Sequence, residues 1–144
     1  MKYNNIIIIN KPMDEVIALF DNFDNMKKWQ PELQTIEHLS GTPGEVGAKT
    51  RLVYQHGKRT TEMIETVKVR NLPEEFSGTY QMKGVENHMF NSFKELSDGN
   101  TEWYSESEFI FSGFMKYIAW MMKGSFKKMS FKFMKNFKEF AESN

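Results

Sequence analysis

The feature that most constrains this chain is a change of period near its end. Up to Phe111 the sequence alternates every second residue, and beyond it Met115, Ala119, Met122, Phe126, Met129, Phe133, Phe137 and Phe140 recur at steps of four and three. At about 100° per residue such steps form one stripe, so the segment reads as a long amphipathic helix with a bend at Gly124. Lys116, Lys123, Lys127, Lys128, Lys132, Lys135 and Lys138 fall on the other half of the wheel.

The alternating region before it predicts an antiparallel sheet. Lys49 to His56 places Thr50, Leu52 and Tyr54 on one face, and Arg59 to Arg70 places Met63, Val67 and Val69 together. Phe76, Gly78, Tyr80 and Met82 alternate with polar residues, Asn87 to Leu96 continues the sheet, and Asp98-Gly99 marks a hairpin. The last strand sets Trp103, Ser105, Ser107, Phe109 and Phe111 against Glu102, Tyr104, Glu106 and Glu108. Upstream, Tyr3 to Asn10 reads as a strand and Leu33 to Leu39 as a weaker one. Between them lie two short helices: one opened by Lys11-Pro12 with Asn10 as its cap, the other from about Asp24 to Gln30, where Trp29 anchors it to the sheet. Short turns imply antiparallel neighbours, and a sheet with one apolar face needs a cover that only the last helix is long enough to supply. The expected class is α+β: a curved antiparallel sheet of about seven strands wrapped around a long C-terminal helix, in a single domain spanning residues 1–144.

Composition narrows the function. Lysine plus arginine and aspartate plus glutamate both total 19, which argues against nucleic-acid binding. The balance is uneven along the chain: Ser112 to Asn144 holds seven lysines and two glutamates, so a basic C-terminal element joins an acidic body. The absence of cysteine excludes disulfides and thiolate chemistry. His38, His56 and His88 are isolated, so neither a metal site nor another cofactor is expected. No signal peptide and no transmembrane run is apparent, which makes a soluble, cytoplasmic protein the expectation. Gly41, Gly44 and Gly47 look like a phosphate loop, but a strand follows instead of the required helix, so they read as turn residues. There are 11 methionines and 13 phenylalanines, enough soft apolar surface for either an ordinary core or a pocket that adapts to an apolar guest.

Ile6-Ile7-Ile8-Ile9-Asn10-Lys11-Pro12-Met13-Asp14-Glu15-Val16, Leu19-Phe20-Asp21, Trp29-Gln30-Pro31, the three loop glycines, the Asp98-Gly99-Asn100-Thr101 hairpin and the amphipathic end together resemble the helix-grip superfamily, Bet v 1-like or START-related (SRPBCC). More narrowly they resemble its bacterial polyketide cyclase/dehydrase and lipid-transport group. The resemblance implies a ligand cavity between sheet and long helix.

Strand parity and helix position assign candidate cavity residues: Tyr54, Met63, Glu65, Tyr80, Met82, Asn91, Trp103 and Ser105 from the sheet, with Ala119, Met122 and Phe126 from the helix. Phe133, Phe137 and Phe140 are expected to be solid packing. Glu65 shares its face with Met63 and Val67, so it points inward unless a bulge turns it. With Tyr80 it is the acid–base candidate, though no catalytic constellation is recognisable. Phe114, Tyr117, Trp120 and Met121 lie off the stripe, as an interface for self-association or peripheral lipid contact would. Three functions remain open: binding or transport of a small hydrophobic molecule or lipid, a polyketide cyclase/dehydratase-type enzyme, and a partner-binding, chaperone-associated module.

Overall fold

The structure, a computed structural model, describes residues 1–122 and 124–144. Strand β1 (Lys2–Ile9) is followed by helix α1 (Met13–Phe20), a 3-10 turn at Phe23–Asn25 and the one-turn helix α2 (Met26–Trp29). Six strands then run consecutively: β2 (Leu33–Ser40), β3 (Lys49–His56), β4 (Arg59–Asn71), β5 (Glu75–Met82), β6 (Val85–Glu95) and β7 (Thr101–Phe111). Two helices end the chain, α3 (Met115–Met121) and α4 (Ser125–Glu142). The strands form one antiparallel sheet in the order β1-β7-β6-β5-β4-β3-β2. This is the expected α+β arrangement of a sheet around a C-terminal helix.

The boundaries have local causes. Pro12, not Asn10, stands at the start of α1, because its fixed φ suits a helix entry while the backbone N–H of Asn10 is drawn to Glu142 of α4 at 2.8 Å. Asp14 and Glu15 in the first turn of α1 suit the positive end of its dipole. Gly41 turns the β2–β3 loop at φ 76°, where a Cβ would lie 2.9 Å from the Ala48 Cα. The loop glycines thus serve a turn.

One end of the molecule is a packed aromatic core. Phe20 meets Phe93, Trp103 and Phe137 edge-on at centroid distances of 5.0, 5.6 and 5.7 Å. Ile7, Ile9, Val16, Met134 and Ala141 complete the cluster, and Phe133 and Phe140 pack against it. One expectation is extended here and another changes. Trp29 anchors α2 to α4 as well as to the sheet side of the core, meeting Phe133 and Phe137 edge-on at 4.6 and 5.1 Å and sharing a cluster with Ile7, Ile9 and Trp103. Trp103, expected in the cavity wall, is fully buried in this core.

The C-terminal stripe also differs in detail. At Gly124 the backbone takes φ 97°, a conformation an L side chain rarely adopts, so the helix breaks fully into α3 and α4 instead of bending. The break rotates the α4 face, exposing Met129 (57%) and burying Met134 (1%). In β4 a bulge between Val67 and Val69 turns Val69 out to solvent.

Truncations test this face directly. Phe137→Ala is expected to destabilise by ~3–5 kcal/mol and Met134→Ala by ~2–5 kcal/mol, while Met129→Ala stays within ~0.5 kcal/mol, in urea unfolding.

Candidate functional site

Register aligns the inner face of the sheet into cross-strand rows. Thr50, Glu65, Tyr80 and Asn87 stand opposite one another on β3, β4, β5 and β6. A second row joins Phe76, Asn91, Ser105 and Asn5. All of these except Phe76 and Tyr80 are buried by whole-residue exposure. The face beneath the C-terminal helices is therefore studded with polar groups, where an ordinary core would place aliphatic ones.

Each polar group has a traceable environment. The β4 bulge comes after Glu65, so the carboxyl keeps its inward parity and is only 8% exposed. Burial raises its pKa above the ordinary glutamate value, and the hydroxyl of Tyr80, donating to Oε2 at 2.7 Å, opposes that rise. Tyr80 is itself pushed well above the ordinary tyrosine value, first by burial and then by the charge of Glu65. Tyr54 donates to Gln30 Oε1 at 2.6 Å, and burial followed by the charges of Glu65 and Glu32 raises its pKa strongly. Asn87, also 8% exposed, keeps its Oδ1 buried without a hydrogen-bond partner among the described residues. Leaving a buried acceptor unpartnered costs about 1–3 kcal/mol, and this one stands opposite Tyr80 in the same cross-strand row.

Other candidates are consumed by packing. Asn91 accepts from Trp103 Nε1 at 3.0 Å and donates to the Phe76 carbonyl at 3.3 Å, leaving it a structural bridge. Met63 and Met82 are half-buried on the same inner face, and Ser105 is buried. Opposite the sheet, α3 turns Met115, Ile118, Ala119 and Met122 inward as its less exposed side. Phe126 opens the apolar side of α4 and packs on Phe109 and Phe111 at 5.2 and 5.6 Å. Helix α4 itself lies chiefly along β1 and against α2, so the middle strands are spanned by side chains and not by closely packed backbone. Asn5 and Tyr3 hold it there through the Lys127 carbonyl (3.3 Å) and Ser130 (2.6 Å).

Sequence reasoning missed Asn87 and Gln30. Asn87 was within reach, since it continues the inward parity of Met89, Asn91 and Phe93. Gln30, on no periodic element and just before Pro31, gives no such signal. The histidines lie apart on β2, β3 and β6, and no group of three metal-ligating side chains occurs among the described residues. An open groove of about 310 Å³ lies on the opposite, outer face, bordered by Lys2, Lys68, Ser77, His88, Glu106 and Glu108. It is crossed by the Lys2–Glu106 ion pair at 2.8 Å and lies on the side of the sheet away from the helices.

Because the raised pKa of Glu65 means that the fold favours its neutral form, its contribution to stability is complete below the unfolded value of 4.5 and is lost as pH rises through the folded value. Glu65→Gln removes that loss. Its thermal midpoint is expected to match the wild type near pH 4 and to exceed it increasingly toward pH 8, in calorimetric scans. In Tyr80→Phe the lowering hydrogen bond disappears, so the Glu65 carboxyl should titrate at still higher pH by carbon-detected NMR.

Known proteins place this geometry in a family. Residues 2–142 match the family described as polyketide cyclase/dehydrase and lipid transport. The crystal structure of Ara h 8.0201 superposes with a TM-score of 0.79 at 14% identity, covering 100% of this chain and 99% of the other. The Zhui aromatase/cyclase from Streptomyces sp. R1128 gives 0.82 at 11%, covering 99% and 93%. A conserved protein from Geobacillus kaustophilus gives 0.80 at 16%, covering 99% and 96%. At such identities the likeness establishes the Bet v 1-like helix-grip fold. No curated protein sequence matches the chain. With nearly its whole length matched and its sheet and C-terminal helix arranged in that fold, the chain belongs to the polyketide cyclase/dehydrase and lipid transport family.

Proposed function

We propose that the chain binds a small, largely apolar molecule between the inner face of the sheet and helices α3 and α4, with one polar end of the ligand directed at Glu65, Tyr80 and Asn87. The observation that carries this reading is the unpartnered Asn87 Oδ1 in the same cross-strand row as the Glu65–Tyr80 pair. A ligand hydroxyl or amide donating to that oxygen removes its burial cost. Burial favours the neutral form of Glu65, and a carboxyl of either form suits an uncharged ligand better than an anion. Around this row, half-buried Met63, Met82, Met115 and Met122 supply an adaptable apolar wall. Family membership supports the class of ligand, since lipid transport and polyketide chemistry both handle such molecules.

The Glu65–Tyr80 contact of 2.7 Å also favours a second reading, acid–base chemistry on a bound polycarbonyl chain. In it Glu65, once ionised, takes a proton from an activated carbon while Tyr80 steadies the developing enolate oxygen. Turnover of a polyketide substrate that vanishes in a folded Glu65→Gln variant would establish it.

Native mass spectrometry of freshly purified protein tests the binding reading. The expected spectrum contains a non-covalent adduct that is extracted by organic solvent. The delipidated protein should bind the uncharged probe N-phenyl-1-naphthylamine, and Glu65→Gln together with Asn87→Ala should weaken the co-purified ligand by about fivefold or more. A spectrum of bare protein, with no probe binding after delipidation, contradicts the reading.

A further inference from the structure

Helix α3 is apolar on every side. Its inner side carries Met115, Ile118, Ala119 and Met122, and its outer side presents Tyr117, Trp120 and Met121 at 68%, 78% and 78% exposure, with Phe114 at 75% just before it. Between Met115 and Met121 its only charged residue is Lys116. A helix that is apolar all round belongs inside a core or in contact with lipid, and the outer half of this one is in water. Sheet packing cannot explain those four side chains, because α3 meets β7 with its other side.

The surrounding charge identifies the occupant. From Ser112 to Lys138 every charged side chain is a lysine. Exposed Lys127 and Lys128 stand in the first turn of α4, which has no acid, so they oppose the helix dipole and bring no local stability. A second copy of the chain would present the same lysines, so symmetric pairing through this patch would set like charge against like. A surface bearing phosphates meets both the aromatic face and the lysines. Tryptophan and tyrosine, apolar bodies with one polar tip each, are the side chains that suit the boundary between headgroup and acyl chain.

We propose that α3 is a peripheral membrane anchor: Phe114, Tyr117, Trp120 and Met121 enter the headgroup boundary of an anionic bilayer, while Lys116, Lys127 and Lys128 meet its phosphates. No helix among the described residues is long and apolar enough to cross a membrane, so the contact is with one leaflet. The anchor stands on the outer face of α3 and does not depend on what the inner face binds. Where both hold, one short helix covers the ligand on one side and touches lipid on the other.

Tryptophan emission reports the event cleanly, because Trp29 and Trp103 are buried and Trp120 is exposed. Vesicles of phosphatidylcholine with an equal share of phosphatidylglycerol should blue-shift the emission and sediment the protein. Pure phosphatidylcholine should do neither at about 0.15 M salt, where surface charge is already screened beyond ~8 Å. Tyr117→Ala/Trp120→Ala should lower the sedimented partition by about tenfold or more, with unchanged circular dichroism. Lys127→Gln/Lys128→Gln, which keeps the aromatic face intact, should lower it by on the order of fivefold per lysine. Absence of binding to the anionic vesicles, or equal binding by the double alanine variant, overturns the proposal. So does sedimentation velocity showing a dimer that the alanine variant converts to monomer without any vesicle binding. Ligand retention in the double alanine variant separates this outcome from failure of the cavity reading.

Discussion

The structure depends on the aromatic contact between Phe137 of α4 and the rings of Phe20, Trp29 and Trp103. These four side chains come from α4, α1, α2 and β7, so a single cluster ties both termini of the chain to the sheet. Such edge-to-face contacts add about 0.5–1.5 kcal/mol per pair beyond area burial, and several share Phe137. The cluster closes one end of the molecule. Beyond the cluster, Gly124 breaks the helix so that α3 lies against β7 as a separate element.

The inner face away from this cluster is chemically unlike it. Phenylalanine and tryptophan fill the core around Phe137, whereas half-buried methionines, asparagine, serine and one carboxyl line the rest of the inner face. A buried glutamate without a cationic partner is costly when ionised, so burial raises its pKa, and the Tyr80 hydroxyl offsets part of that cost. The position of the β4 bulge decides this. Between Val67 and Val69 it leaves Glu65 inside. Four residues earlier, between Met63 and Glu65, it would have delivered the carboxyl to water.

Much of this was legible before any coordinates. Alternation located Trp103, Ser105, Ser107 and their neighbours on the inner face, and the period change located the covering helix, because both signals follow directly from backbone geometry. The inward aim of Glu65 was legible for the same reason. What escaped were effects of tertiary contact. Met129 and Met134 are chemically identical, and only the rotation of α4 after its break decides which is buried. One boundary escaped as well: Asn10 looked like a cap, but α1 begins at Met13 with Pro12 before it, too far along for the Asn10 side chain to serve. Trp103 had the parity of a pocket residue, and its removal to the core depends on where Phe20 and Phe137 arrive.

The proposal that a ligand binds the inner face away from the Phe137 cluster is tested most directly by methionine methyl NMR. The methionines sample every region: Met63, Met82, Met115 and Met122 around that part of the inner face, Met134 in the core, and Met121 and Met129 on the surface. Titrating the delipidated protein with uncharged N-phenyl-1-naphthylamine should shift the first four resonances in concert and leave those of Met134 and Met129 in place. Shifts confined to Met121 and Met129, or none at saturating probe, would contradict the account.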